Sequence, residues 1–203
     1  MSRSGAPETG PVWHFVRHAP SLANEQRWLA GHVDVPLSEK GEAKARASTH
    51  LLAGLPIARA FTSDLRRAWH TAELILADHA VPVRQIQALR ERDLGEWERV
   101  SHDTLDAGDP HLNRWDLGPP GGESPQDVAL RYLAFFAVCP DIDGDTVVVG
   151  HGLALRSLLG LIDGIPTDEI PKGRYKNLEL QTRRLDRARF EALLDALRAG
   201  DLP

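Results

Sequence analysis

At 203 residues, with 42% hydrophobic and 26% charged side chains, the chain has the size and make-up of one globular domain rather than a fibrous or disordered polypeptide. A net charge of −5 speaks against a general nucleic-acid or membrane-surface binder. The one cysteine, Cys139, excludes an internal disulfide, and no cysteine–histidine spacing suits a metal.

Met1 to Pro11, rich in Ser, Gly and Pro, is expected to be a disordered tail rather than a signal peptide, leaving a single domain over 12–203. Val12 to Val16 reads as a buried strand. It ends in Arg17-His18, and Pro20 stops it there, so that a helix can start over Ser21 to Gln26. Ser38 is placed to cap a helix from Glu39 to about Leu52, which Gly54-Leu55-Pro56 ends. Ile57 to Thr62 predicts a second strand, and Ser63 is expected to cap a helix reaching about His79, with Leu65, Ala68, Ala72 and Ile75 or Leu76 on one face. Val81 to Ile86 alternates like a short strand whose proline suits an edge or a strand start.

From Arg90 to Gly122 no period holds, as in a functional loop region or lid. Order returns at Ser124-Pro125-Gln126-Asp127, a capping box with proline at the first helical position. The helix behind it carries Val128, Tyr132, Leu133, Phe135 and Phe136. Asp145 to Val149 has the unbroken apolar run of a parallel strand buried on both faces. Gly150-His151-Gly152 then turns into a helix over Leu153 to Leu159. A strand over Leu178 to Thr182 and a helix over Asp186 to Leu197 complete the chain. The longest apolar tract, Thr146 to Ile162, contains His151 and Arg156 and is broken by glycines, so no membrane span is expected. The expected location is the cytoplasm, and the expected state a monomer or homodimer.

This alternation predicts an α/β fold, a three-layer α/β/α sandwich around a central, mostly parallel sheet. His18 and His151, both at strand ends, should then share the carboxyl edge of that sheet, where such folds place their chemistry. Taken singly, the residues leave the matter open. Arg67 reads equally as a solvated helix charge, His151 as part of a tight turn, and Glu91 as a surface carboxylate paired with Arg90 or Arg92.

Together they carry a resemblance. Arg17-His18-Ala19 followed by Asn24, then Gly31 to Gly41, then Ser63-Asp64-Leu65-Arg66-Arg67-Ala68-Trp69-His70-Thr71-Ala72 are similar to the opening blocks of the histidine phosphatase, or phosphoglycerate-mutase-like, superfamily. Leu89-Arg90-Glu91 through Trp97-Glu98, Gly121-Gly122-Glu123-Ser124 and Val149-Gly150-His151-Gly152 continue the series in family order. The resemblance covers about residues 12 to 182 and implies the phosphoglycerate-mutase-like form of the sandwich. It makes His18 the nucleophile, with Arg17, Arg67 and His151 holding phosphoryl oxygens. Asn24 and Gly152 would add donors, and Glu91 would protonate the leaving oxygen.

Two guanidiniums and an imidazolium would supply the positive charge and keep a lone pair free on His18. No metal and no cofactor is implied. The implied partner is a small-molecule phosphoester, with inorganic phosphate as product. Three departures from the family pattern bear on loop geometry. Ala19 replaces a glycine, Pro20 replaces a residue that is often acidic, and Arg99 stands where glycine commonly follows Trp-Glu.

Within this resemblance a phosphomonoesterase is favoured over a phosphoglycerate mutase. Gly31-His32 replaces a Gly-Trp pair of the mutases, and 99–120 is short, with only Arg99 and Arg114 to clamp a second anion. An inactive phosphoester-binding or protein-binding relative is disfavoured by the joint presence of Arg17, His18, Arg67, Glu91 and His151. Trp28, His32, His102, Arg114 and Trp115 fall in segments that could line the pocket mouth, though each reads equally as a core or solvated side chain, and Trp97 is expected to pack under the lid rather than touch substrate.

Overall fold

Val12–Arg17 forms β1, with Trp13, His14, Phe15 and Val16 all buried. The computed structural model to which it belongs describes residues 10–106 and 108–201. Of the tail expected over 1–11, residues 1–9 therefore lie outside the described residues. Pro11 is already tied in, since its carbonyl accepts the Leu185 N–H at 3.0 Å.

β1 pairs in parallel with β4 (Asp145–Gly150), whose run of six residues is buried throughout. Parallel pairing continues through β2 (Ile57–Thr62) to β3 (Val83–Gln85), and β5 (Leu180–Arg184) closes the other edge antiparallel to β1. The order across the sheet is β3-β2-β4-β1-β5. Side chains alternate between its faces, as the period of two requires. Trp13, Phe15, Phe61 and Val148 point toward a core shared with α5 (Pro125–Ala137), α6 (Gly152–Ile162) and α7 (Arg187–Ala199). Val16, Ala60, Val147 and Val149 point to a second core, with α2 (Glu39–Arg46) and α3 (Arg66–Ile75) over that face.

The result is the expected three-layer sandwich with a mostly parallel sheet. Trp13 anchors the larger core, edge-on to Phe136 and Phe190 at 5.2 and 5.1 Å, a geometry worth about 0.5–1.5 kcal/mol per pair beyond area burial. Among the described residues no helix is long and apolar enough to cross a membrane.

Several boundaries differ from expectation, each for a local reason. The helix from Glu39 stops at Arg46, and Thr49–Leu51 is a separate 3₁₀ turn. There the Ser48 hydroxyl donates to the Lys44 carbonyl, the competition with the backbone that hydroxyl side chains offer. α3 begins at Arg66 rather than after Ser63, ends at Ile75 rather than near His79, and has no side-chain cap. Leu65 occupies the cap position, and Ser63, two residues earlier, accepts the Leu65 N–H instead.

β3 keeps only three residues after Pro82, at the sheet edge. The aperiodic stretch hides a four-residue helix α4 (Pro110–Asn113), capped by Asp109 with Pro110 at its first position. In α5 both halves of the capping box form between Ser124 and Asp127. α6 runs on to Ile162, and β5 begins two residues later than expected, because residues up to Leu178 are held by the end of β1.

Candidate active site

Parallel pairing of β1 with β4 sets Arg17 opposite Gly150, and the His18 N–H donates to the Gly150 carbonyl at 2.9 Å. The residues that follow the two strands therefore emerge together. His18 and His151 are both buried, with ring centroids 5.2 Å apart. β2 lies on the far side of β4, and the chain leaving it brings Arg67, in the first turn of α3, to the same place. The shared carboxyl edge anticipated for the two histidines is thus present.

His18 Nδ1 lies 2.7 Å from the Ala19 carbonyl. A carbonyl only accepts, so Nδ1 carries the ring proton and Nε2 keeps its lone pair. Burial pushes the His18 pKa well below the ordinary 6.5, and the Arg67 and Arg17 charges push it further, against the opposing pull of the Ala19 carbonyl. His151 is driven well down by burial, then by Arg67 and His18. The imidazolium expected at 151 is corrected to a neutral imidazole, because a fully buried ring facing two guanidiniums holds no second proton at neutral pH.

Arg17 donates from Nη1 to the Tyr175 carbonyl at 2.6 Å, and its Nε is buried without a protein partner. Arg67 is 2% exposed and is aimed by two carbonyls, Nη1 to Val33 at 2.9 Å and Nη2 to Gly31 at 2.7 Å. Burial lowers it to about 10, which leaves it charged at neutral pH. The solvated-charge reading of Arg67 is thereby excluded. Gly152 adjoins Arg17, and a Cβ there would lie 3.2 Å from Arg17 Cζ and Nε, so the missing side chain leaves room for the guanidinium.

Glu91 sits at the start of α6. Its Oε1 accepts the Arg92 N–H at 2.9 Å and the Ala154 N–H at 3.1 Å, and its Oε2 accepts the Leu153 N–H at 3.2 Å. The surface ion pair weighed for Glu91 does not form. Arg90 is bidentate to Asp64, and the Arg92 guanidinium donates to the carbonyls of Glu123, His111 and Leu117. Among charges, Glu91 is the strongest attraction felt by both Arg17 and Arg67, so its carboxylate lies near both guanidiniums. Asn24 is engaged otherwise: its Oδ1 accepts from Ser21 N and Oγ as part of the cap of α1 (Leu22–Glu25). The Nδ2 donor is the end of that amide left to meet a ligand.

Several supporting residues escaped the sequence reading. Arg131 donates to the Glu91 carbonyl and pairs with Glu123, while Asn177 Nδ2 donates to the His18 carbonyl at 2.7 Å. His32 meets the Glu91 carbonyl through Nε2 at 2.8 Å, so it braces the Glu91 segment. Trp115 packs against the larger core, and Trp97 lies edge-on to His111. The family-like blocks containing Gly31, Glu123 and Gly152 were the available signal, but spacing alone could not say what each one braces.

The departures also resolve. The Ala19 methyl is fully buried in the smaller core, and its N–H meets Thr71 Oγ1 at 3.0 Å, so no glycine is required there. Beside it the Pro20 carbonyl accepts the Ser38 N–H, and it approaches Gly41 so closely that a Cβ there would lie 1.8 Å from it. Arg99 has φ +67°, a left-handed conformation that glycine adopts without strain, and its guanidinium lies 5.8 Å over the Trp28 ring. Among the described residues no group of three His, Cys, Asp or Glu side chains is arranged to hold a metal ion.

The model of the histidine phosphatase superfamily (branch 1) matches residues 13–195. A Gloeobacter violaceus protein named 2,3-bisphosphoglycerate-dependent phosphoglycerate mutase 2 is 39% identical over 171 residues, covering 78% of each chain. A Beijerinckia indica phosphoglycerate mutase of the same cofactor dependence is 37% identical over 183 residues, 83% of this chain and 86% of its own. Among solved structures, a mycobacterial glucosyl-3-phosphoglycerate phosphatase in complex with VO3 superposes with a TM-score of 0.77 at 29% identity, covering 85% of this chain and 92% of that one. Bacillus stearothermophilus YhfR gives the same score and identity over 87% and 92%.

Proposed function

This chain belongs to the histidine phosphatase superfamily, and from that footing we propose that it is a metal-independent phosphomonoesterase working through a phosphohistidine on a small phosphorylated metabolite. The observation that carries the reading is the state of His18. Its Nδ1 proton is committed to the Ala19 carbonyl, and its Nε2 lone pair sits in a dry site beside Arg17, Arg67 and His151.

His18 Nε2 attacks phosphorus in line while the bond to the ester oxygen breaks. Arg17, Arg67, Asn24 Nδ2 and a neutral His151 donor take the charge on the remaining phosphoryl oxygens. Glu91 gives its proton to the departing oxygen, releasing an alcohol. Water then attacks the phosphohistidine with Glu91 as base, which restores the proton on Glu91 and frees inorganic phosphate. Gly152 serves by admitting the Arg17 guanidinium, since a Cβ there would press on it at 3.2 Å.

Hydrolysis rather than mutase action is supported by the arginines of 90–122. Arg90 is held by Asp64, Arg92 by three carbonyls, Arg99 by Trp28 and Arg114 by Asp116, so each is engaged within the protein. A mutase needs cations for the second anionic group of its substrate and must keep water from the phosphoenzyme. The second reading, a phosphoglycerate mutase, is favoured by the names of the relatives at 37–39% identity. Those relatives match over similar shares of both chains, so the shortness of this segment does not by itself separate the two activities.

Phosphorus NMR decides between them. With 3-phosphoglycerate, a trace of the bisphosphate and a chelator present, a phosphatase accumulates inorganic phosphate. Isomerisation to 2-phosphoglycerate outpacing phosphate release would refute the proposal in favour of the mutase. Loss of activity in chelator, restored by a divalent ion, would refute the metal-independent charge work.

A further inference from the structure

Ser63 takes no part in the reaction as set out above, yet it is fully buried at the very edge where the chemistry lies. β2 and β4 pair with Thr62 opposite Val149, so the chain leaving each strand runs level with the other, and Ser63 Oγ comes 2.7 Å from His151 Nε2. The same oxygen accepts the Leu65 N–H at 3.3 Å. A serine hydroxyl has one proton to give, and His151 Nε2 is the acceptor placed to receive it. The other ring nitrogen, Nδ1, is buried without a protein partner, on a ring 5.2 Å from that of His18.

A phosphoryl dianion offers acceptors only, so His151 is useful to it only when Nδ1 carries the proton. We infer that Ser63 is a positioning residue: by donating to Nε2 it holds His151 in the Nδ1–H tautomer and so supplies the neutral donor that meets the phosphoryl group at His18. The opposite tautomer would send Nε2–H toward Ser63, leave the serine proton without an acceptor in a dry site, and turn a lone pair on the phosphoryl oxygens. The inference rests on the phosphoryl-transfer reading of this pocket.

The test begins with the wild-type protein. Long-range proton–nitrogen NMR of the histidine rings, with inorganic phosphate bound, should show His151 Nδ1 protonated and Nε2 bare. Ser63→Ala should lower kcat/KM for p-nitrophenyl phosphate by about 10–100-fold while the protein stays folded with a lowered melting temperature, a loss like that seen when groups that orient metal-bound histidines are removed. Ser63→Thr, which keeps the hydroxyl, should retain most of the activity. A proton on Nε2 in the phosphate-bound wild type would overturn the inference. So would a Ser63→Ala enzyme at the wild-type rate, or a folded Ser63→Thr enzyme as poor as Ser63→Ala. If Ser63→Ala does not fold, the wild-type spectrum decides alone. Failure of the phosphatase reading would look different, as a wild-type protein that releases no phosphate whatever the His151 tautomer.

Discussion

Replacing Glu91 by glutamine separates its chemical role from its structural one, because the two have different magnitudes and different readouts. The carboxylate accepts three backbone N–H groups, two through Oε1 and one, from Leu153, through Oε2. Glutamine keeps one accepting oxygen, which can still serve Arg92 and Ala154. Its amide nitrogen then faces the Leu153 N–H, donor against donor, at the positive end of α6. An unsatisfied buried donor costs about 1–3 kcal/mol, and loss of the favourable charge at the helix start adds about 0.3–1 kcal/mol. For a domain of this size the two costs together, about 1.3–4 kcal/mol, lower the melting temperature by roughly 3–16 °C, which a thermal melt reads apart from the chemistry.

The chemical loss is selective. An alkyl phosphate leaves as a strongly basic alkoxide and needs the Glu91 proton, so single-turnover phosphorylation of His18 should slow by about 10²–10⁴-fold. Nitrophenolate departs without a proton, so p-nitrophenyl phosphate should be slowed far less. Its phosphohistidine should then accumulate, because the base that activates water is also lost. Rapid-quench measurement of acid-labile phosphoprotein with both donors provides the comparison. Equal losses for the two leaving groups would refute the acid assignment and leave Glu91 as a cap on α6.

His18→Ala should abolish phosphate release while the protein stays folded, and a purified variant within about tenfold of wild type would point to direct attack by water. Because the His18 pKa lies below the ordinary value and the neutral ring is the nucleophile, the acid limb of kcat/KM should fall below pH 6.5, and a limb at or above 6.5 would contradict the assignment. His18 and His151 both stay neutral when folded but take up protons near pH 6.5 when unfolded. Stability should therefore be fully present above that value and decline as pH falls toward their folded values, by up to about 1.4 kcal/mol per pH unit for each ring, as urea midpoints against pH would record. Gly152→Ala places a methyl 3.2 Å from the Arg17 guanidinium and should weaken inhibition by inorganic phosphate about tenfold, whereas unchanged inhibition would show that Arg17 does not hold the phosphoryl group.

The sequence by itself determined the layers and the sheet edge that His18 and His151 share. An unbroken Thr-Val-Val-Val run admits little other than a strand covered on both faces, and Ser124 to Asp127 contains every part of its own cap. Strand–helix alternation then brings His18 and His151 to one edge, because parallel strands end together. These are local or periodic properties, and they survive without knowledge of distant neighbours.

What the tertiary structure decided is where each polar group finds its partner. Ser63 has the look of a helix cap, but a histidine 88 residues away holds its hydroxyl. Glu91 lies between two arginines in the chain, yet its oxygens go to the start of α6, while Arg92 is drawn away by three carbonyls from the segment that follows. Arg67 owes its aim to the Gly31 and Val33 carbonyls, and Arg17 owes its own to that of Tyr175. The charge on His151 turned on burial in the same way, since burial and the neighbouring guanidiniums disfavour a proton that the same ring takes up more readily in water. Hydrogen bonds of this kind leave no period in the sequence. They follow from which donors and acceptors are shut away from water together, and only the folded chain brings those groups into contact.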